Sequence, residues 1–318
     1  MGIIIDDDPN SFDSSATKLV KRSLILGYPP RLRKMHTTGR SVSLETIVEA
    51  AIAGLPIRIR RAQRTTINEG SAHVVVLLED HAAIRVTRDL LTAHKLRRRQ
   101  QLVDSIPSDI GLVVPRSLGP VVEVEEHAAV ATEFVSGAPC PAGEGDPEEL
   151  QRLLEAVSSI DPAPLQPILN EPLSFCGGAN WYSVQIEEVI PRIDQQFRNL
   201  ARKAIEELSH LEPEEQVFSH GDLGGYNVMW HRGHATGILD WDFSSKSDRS
   251  TDLASLGVWH GWQKLSKIAG AHQVNRAGIR RNTFRLQQLG FLIIAQRPES
   301  EISAAIGRAN KWIAENLA

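Results

Sequence analysis

The segment FSHGDLGGYNVMWHRGHATGILDWDF, residues 218–243, carries more chemistry than any other part of the chain. After Phe218 and Ser219 come His220-Gly221-Asp222-Leu223, then Asn227-Val228-Met229-Trp230. A polar turn at residues 231–234 separates this run from Gly237-Ile238-Leu239, which leads into Asp240. The pattern predicts a loop that presents a carboxylate and an amide, then a hairpin that returns a second carboxylate. Asp222, Asn227 and Asp240 are oxygen donors brought together by that chain reversal. Hard cations such as Mg²⁺ take one or two such protein ligands and complete their shell with substrate phosphate oxygens and water.

HGDLGGYNV followed by ILDWD resembles the aminoglycoside phosphotransferase and choline kinase-like family of the protein kinase-like superfamily, in which His-Gly-Asp stands where protein kinases have His-Arg-Asp. The five-residue step from Asp222 to Asn227, the eighteen residues from Asp222 to Asp240, and the later Asp252-Leu253-Ala254 all match. The resemblance implies an α+β, bilobal protein kinase-like fold, with a small antiparallel β-rich N-lobe and a larger, mainly α-helical C-lobe. It implies that Asp222 orients an acceptor hydroxyl and takes its proton, and that Asn227 and Asp240 hold Mg²⁺. The co-substrate implied is ATP or GTP.

Whole-chain properties agree with a soluble globular protein. A length of 318 residues allows one large or two modest domains, and 42% hydrophobic with 23% charged residues is ordinary for a globular protein. A net charge of −4 gives no basic footprint for nucleic acid. No apolar run is long enough for a membrane span, and the acidic N-terminus is unlike a signal peptide. The two cysteines, Cys140 and Cys176, have no metal-ligand spacing and suit a reducing compartment. A cytoplasmic location is expected.

Three divisions follow from the order of signals: a flexible leader over residues 1–40, a nucleotide-binding N-lobe over 41–135, and a catalytic and acceptor-binding C-lobe over 136–318. The leader is rich in breakers, with a short helix expected across 17–26 and Met35 as an alternative start. Ser43 is placed to begin a helix that carries Ile47, Val48, Ala51 and Ile52 on one face. Three strand-like runs follow at 57–67, 72–78 and 83–87.

By the resemblance, Gly70 and Ser71 in the turn between the first two runs lie over the phosphates. Arg85 stands in the third strand where Val-Ala-Ile-Lys is usual, so its fork is implied to grip the α- and β-phosphates. Main-chain groups near Glu133, Phe134 and Val135 are implied to meet the edge of the base. One departure is plain. The helix expected over 90–106 should offer a Glu to the third-strand cation, yet residues 88–106 contain only Asp89 and Asp104 as acids, and Asp104 is the expected substitute.

Further strands are expected at 112–116, 121–124 and 128–135, a lobe connection at 136–147, and an amphipathic helix over 148–160. A long helical region over 181–209 should be divided by Pro191. Asp252 is read as the N-cap of the next helix, and Trp259, His260 and Trp262 as bordering the acceptor region. The expected acceptor is the hydroxyl of an aminoglycoside-like antibiotic. The alternatives are a metabolite kinase for choline, an amino alcohol or a sugar, a macrolide kinase, or a catalytically weak nucleotide-binding regulatory protein. The oligomeric state is left open by the sequence.

Overall fold

The computed structural model describes residues 42–68 and 73–318, so the readings made for the leader lie outside the described residues. The chain forms two compact units. The first takes the described residues up to Cys140 together with Tyr226–Trp241; the second takes Pro141–Gly225 and Asp242–Ala318.

In the first unit the helix Leu44–Ile52 starts where the sequence placed it, with the Ser43 hydroxyl accepting from the Thr46 amide at 3.1 Å. Residues 57–63 are not strand. Pro56 sets up a single helical turn, Ile57–Arg60, of which Ile59 is buried while Ile57 is half exposed, so its alternating pattern imitates a strand. The sheet begins at β1 (Arg64–Ile67) and continues through β2 (His73–Leu78) and β3 (Ala82–Thr87). The helix Leu90–Ser105 follows, its N-terminus capped by Asp89.

Residues 112–116, expected as a strand, make single bridges only: Val113 pairs with Gly237, and Ser117 beyond them with Thr132. Then come β4 (Val122–Val124), β5 (His127–Glu133) and the two-residue β6 (Ala138–Pro139). The main sheet has the order β1-β2-β3-β5-β4, every pair antiparallel.

The apolar run in β5 has a physical cause: both faces of the strand are covered. Alternate residues of a strand point to opposite faces. Ala129 and Ala131 pack in the cluster of Ile47, Val48, Ile52, Ile84 and Val86, on the side of the helix Leu44–Ile52. Ala128 and Val130 pack against Leu96 of the helix Leu90–Ser105. Small residues let both helices approach the sheet.

The second unit opens with the helix Pro147–Ser158, which buries Leu150, Leu153, Leu154 and Val157 on one stripe. As expected, the region around Pro191 is broken. An α-helical turn, Trp181–Val184, loosens into a π-helical stretch, Gln185–Val189, and then a 3₁₀ turn, Ile190–Arg192; the helix Arg198–Ser209 begins afresh. Val189, Ile190, Ile193 and Ile205 share a core with Leu286, Leu289 and Ile313 of the helices Phe284–Ile294 and Glu299–Asn316.

Strand β7 (Gln216–Ser219) then leads to the catalytic-type loop. The chain enters the first unit as the hairpin β8 (Val228–His231) and β9 (His234–Ile238), and re-enters the second as β10 (Ser245–Asp248), antiparallel to β7. No helix among the described residues is long and apolar enough to cross a membrane.

An ion network anchors the end of β10. The Asp248 carboxylate accepts from the Ser250 amide at 2.7 Å and from both Nε and Nη2 of Arg276, a residue of the helix Ala271–Arg281. Arg280 Nη2 is 3.4 Å from the same carboxylate and Glu214 is 3.4 Å from Arg276. Burial alone would raise the Asp248 carboxyl; the Ser250 amide and the two guanidiniums outweigh it and hold it below its ordinary 3.8. The unfolded chain therefore takes up this proton first as pH falls. The stabilisation is complete above the unfolded value and is lost as pH drops through the folded-state pKa. Replacing Asp248 by Asn is expected to cost roughly 3 kcal/mol at neutral pH, because buried Arg276 loses its two-bond carboxylate partner and keeps Glu214, at 3.4 Å. Urea midpoints of the two proteins, compared from pH 7 downward, should converge below pH 3.8.

Candidate active site

The loop after β7 is held from beneath by a buried carboxylate. Asp252, 2% exposed, accepts from the backbone N–H of His220 at 2.8 Å and of Gly221 at 2.9 Å. It lies in the first turn of the helix Ser250–His260, where Asp248 already caps the Ser250 amide. Asp252 is therefore a clamp on the loop and not the N-cap that the sequence suggested. Burial pushes its carboxyl up, while the two donated backbone bonds pull against that shift.

The loop itself is conformationally demanding. Gly221 has φ +82°, and a Cβ there would lie 2.6 Å from the Phe243 carbonyl oxygen, so both backbone and space require glycine. The Asp222 amide donates to His220 Nδ1 at 3.2 Å, which puts the imidazole proton on Nε2. The Asp222 carbonyl accepts from Gly224, closing a tight turn that presents the Asp222 side chain, 5% exposed. Gly224 and Gly225 sit against Ser255 and the Trp259 ring of the same helix. Trp259 thus packs on the loop.

In the first unit the hairpin β8–β9 brings its two donors to one end. Val228 pairs with Ile238, and the Leu239 amide donates to the Asn227 carbonyl at 2.7 Å, so Asn227 and Asp240 flank the same end of the ladder. Asp240 has φ +54°, a left-handed conformation that few non-glycine residues adopt and that Asp tolerates better than most. The chain beyond it is fixed by the Trp241 indole, whose Nε1 donates to the Ile238 carbonyl at 3.1 Å. One amide and one carboxylate of this kind fit a cation that draws its remaining ligands from phosphate and water.

Arg85 reaches this carboxylate. Its Nη2 is 3.9 Å from Asp240 Oδ1 and 3.4 Å from His73 Nδ1. Asp104 does not pair with Arg85. Its carboxylate binds the Ser117 amide and hydroxyl at 2.8 and 2.7 Å and Gln100 at 3.1 Å, securing the segment after the helix. Asp89 is equally occupied, accepting from the Thr92 amide and hydroxyl. His73 is the neighbour that sequence reading missed; the signal was its place on β2 two residues before the position opposite Arg85.

Gly70 and Ser71 fall outside the described residues. Glu133 ends β5, and its amide donates to the Arg116 carbonyl at 2.8 Å, so it is already in use. The amides of Phe134 and Val135 donate to no group among the described residues. Val135 packs on Gly237, where a Cβ would come within 2.3 Å of its Cγ1.

Two expectations for the second unit change. His260 is buried, its Nδ1–H donating to the Glu144 carbonyl at 2.8 Å, and burial lowers its pKa to about 4. It is a neutral structural histidine. Trp262 stacks on the Arg281 guanidinium, 4.5 Å from the ring centre, with Trp312 at 5.3 Å on that cation. A cavity of about 1330 Å³ opens beside Trp262, lined by Glu206, His210, Arg276 and Arg281, but neither Asp222 nor any other candidate site residue lines it. Its size alone does not make it the site of the chemistry.

The five-stranded antiparallel sheet, the helical second unit and the Asp–Asn–Asp order define a protein kinase-like phosphotransferase. Residues 65–287 match the model of the phosphotransferase enzyme family APH, and the chain belongs to that family. It is a kinase for a hydroxyl of a small molecule. Viomycin phosphotransferase from Streptomyces vinaceus is 26% identical over 265 residues, covering 76% of this chain and 90% of that protein. The GDP complex of aminoglycoside 2′-phosphotransferase-IIIa superposes with a TM-score of 0.70 at 14% identity, over 86% of this chain and 98% of that one. A ternary complex of a thermostable aminoglycoside phosphotransferase mutant with AMP-PNP and hygromycin B gives 0.58 at 16% identity, over 85% and 99%.

Removing the clamp tests its role. Asp252→Ala leaves two buried N–H donors unmatched, at about 1–3 kcal/mol each. Chemical denaturation should show a loss of about 2–6 kcal/mol in all. An unchanged midpoint would show that the loop does not depend on Asp252.

Proposed function

We propose that the protein transfers the γ-phosphoryl group of ATP or GTP to a hydroxyl of an antibiotic of the aminoglycoside or viomycin kind, and so confers resistance to it in the cytoplasm. The observation that carries this reading is the Asn227–Asp240 arrangement: an amide and a carboxylate, the latter on a left-handed backbone, at one hairpin end, with the Arg85 guanidinium 3.9 Å from that carboxylate. The viomycin phosphotransferase relative supports the antibiotic acceptor, and the GDP and AMP-PNP complexes of the structural neighbours support a purine nucleotide donor.

In this reading residues 41–135 are the nucleotide-binding lobe and 136–318 the catalytic and acceptor-binding lobe. Arg85 grips the α- and β-phosphates with its planar fork. Gly70 and Ser71 cover the phosphates. The unengaged amide of Val135 suits an acceptor nitrogen of the base, with the carbonyl groups of Glu133 and Val135 available to its amino or imino hydrogens. Asn227 and Asp240 hold Mg²⁺, which when bound neutralises charge on the phosphate oxygens. Asp222 orients the acceptor hydroxyl and takes up its proton. The catalytic demand on the protein is positioning and electrostatics, which explains why so much of the loop is clamped.

Asp222→Ala should lower turnover by about 10²–10⁴-fold, the range removed with a general base, while Mg·ATP or Mg·GTP still binds. Asp240→Ala should instead weaken the Mg-nucleotide complex. Phosphoryl transfer measured with both nucleotides against kanamycin, viomycin, hygromycin B, a macrolide and choline distinguishes the acceptor classes. Full activity of Asp222→Ala on its best acceptor would sink the assignment. Tight nucleotide binding with no transfer to any acceptor would favour a regulatory nucleotide-binding protein.

A further inference from the structure

Arg85 needs a neighbour that fixes the direction of its fork, and the helix Leu90–Ser105 offers no acid for the purpose. That helix has no Glu, Asp89 is occupied by Thr92, and Asp104 by Ser117 and Gln100. The sheet supplies what the helix lacks. Val75 stands directly across from Arg85 in the β2–β3 pairing. His73, two residues earlier on β2, is on the same face and diagonal to Arg85, within reach of a long side chain.

Its Nδ1 lies 3.4 Å from Arg85 Nη2. A guanidinium only donates, so Nδ1 accepts and the imidazole proton is on Nε2. His73 is 8% exposed and the Arg85 side chain 12%, so the bond forms out of bulk water, where its direction counts for more.

We propose that His73 is a positioning residue for Arg85, taking the part that a helical carboxylate would otherwise play. The exchange has a chemical consequence. A carboxylate would add negative charge beside the guanidinium, whereas an imidazole that accepts from it orients the fork without adding any. Asp240 Oδ1, 3.9 Å from the same Nη2, supplies attraction from the other side. The inference rests on the reading of Arg85 as a phosphate contact, made above.

The test uses the full chain and needs no acceptor. Dissociation constants for Mg·ATP, Mg·GTP and the corresponding nucleosides are measured by calorimetry for the wild type, His73→Leu, His73→Asn, Arg85→Ala and the His73→Leu/Arg85→Ala double variant. Thermal unfolding checks that each is folded. Loss of one acceptor to a charged donor should weaken binding of the preferred triphosphate about tenfold in His73→Leu, leaving the nucleoside unaffected.

Asn places an oxygen near the position of Nδ1, so His73→Asn should stay within about threefold of wild type, and His73→Leu should add almost nothing to Arg85→Ala. Wild-type triphosphate binding by His73→Leu, with Arg85→Ala impaired, overturns the proposal. Equal weakening of nucleoside and triphosphate by His73→Leu, or full additivity in the double variant, overturns it as well. If Arg85→Ala itself binds triphosphate like the wild type, the phosphate role of Arg85 fails first, and the role of His73 falls with it.

Discussion

Two backbone N–H groups and one buried carboxylate hold the arrangement together. Asp252 accepts from His220 and Gly221 across thirty-two and thirty-one residues of chain. Burial raises the Asp252 carboxyl, and the two donated bonds pull against that shift. The bond requires a loop that turns through Gly221 at φ +82° and a helix whose first turn sits directly beneath it. It also requires that the helix start where it does. Asp248, Arg276 and Arg280 see to that, locking the end of β10 to the helix Ala271–Arg281. The backbone that carries Asp222 is thus fixed by Asp252 and by the network that sets the start of its helix.

The first unit surrounds a single guanidinium on β3, that of Arg85. Arg85 projects from the face of β3 opposite Ile84 and Val86, whose side chains complete the core under the helix Leu44–Ile52. On its own face it meets the His73 imidazole and the Asp240 carboxylate. The left-handed backbone of Asp240 carries an energetic cost that such sites tolerate when the surroundings over-determine it. Here the Leu239–Asn227 bond on one side and the Trp241 indole on the other do so.

Local signals were read well where a residue acts within its own turn of chain. Ser43 caps its helix, Pro191 divides the 181–209 region, and the alternation in β3 places Arg85 correctly. Reading failed where a side chain works at a distance. Asp104 sits one helix along from Arg85 in sequence order, which made it a natural substitute for the missing Glu, but its carboxylate serves Ser117. The Ile-Arg-Ile-Arg run at residues 57–60 alternates like a strand, yet Pro56 and the burial of Ile59 alone make it a helical turn. His260, read as bordering the acceptor region, is buried and donates to the Glu144 carbonyl.

By itself the sequence determined the class of chemistry, because Asp222, Asn227 and Asp240 keep their order and spacing along one short stretch, and a short stretch fixes its own geometry. It determined also that the helix Leu90–Ser105 lacks a carboxylate for Arg85. What takes that carboxylate's place was decided only in three dimensions. His73 becomes the neighbour of Arg85 through strand register, and Asp252 becomes a clamp through the packing of a helix under a loop. Spacing alone does not reveal either partnership, since hydrogen bonds between distant residues depend on register and burial, which the tertiary structure alone sets.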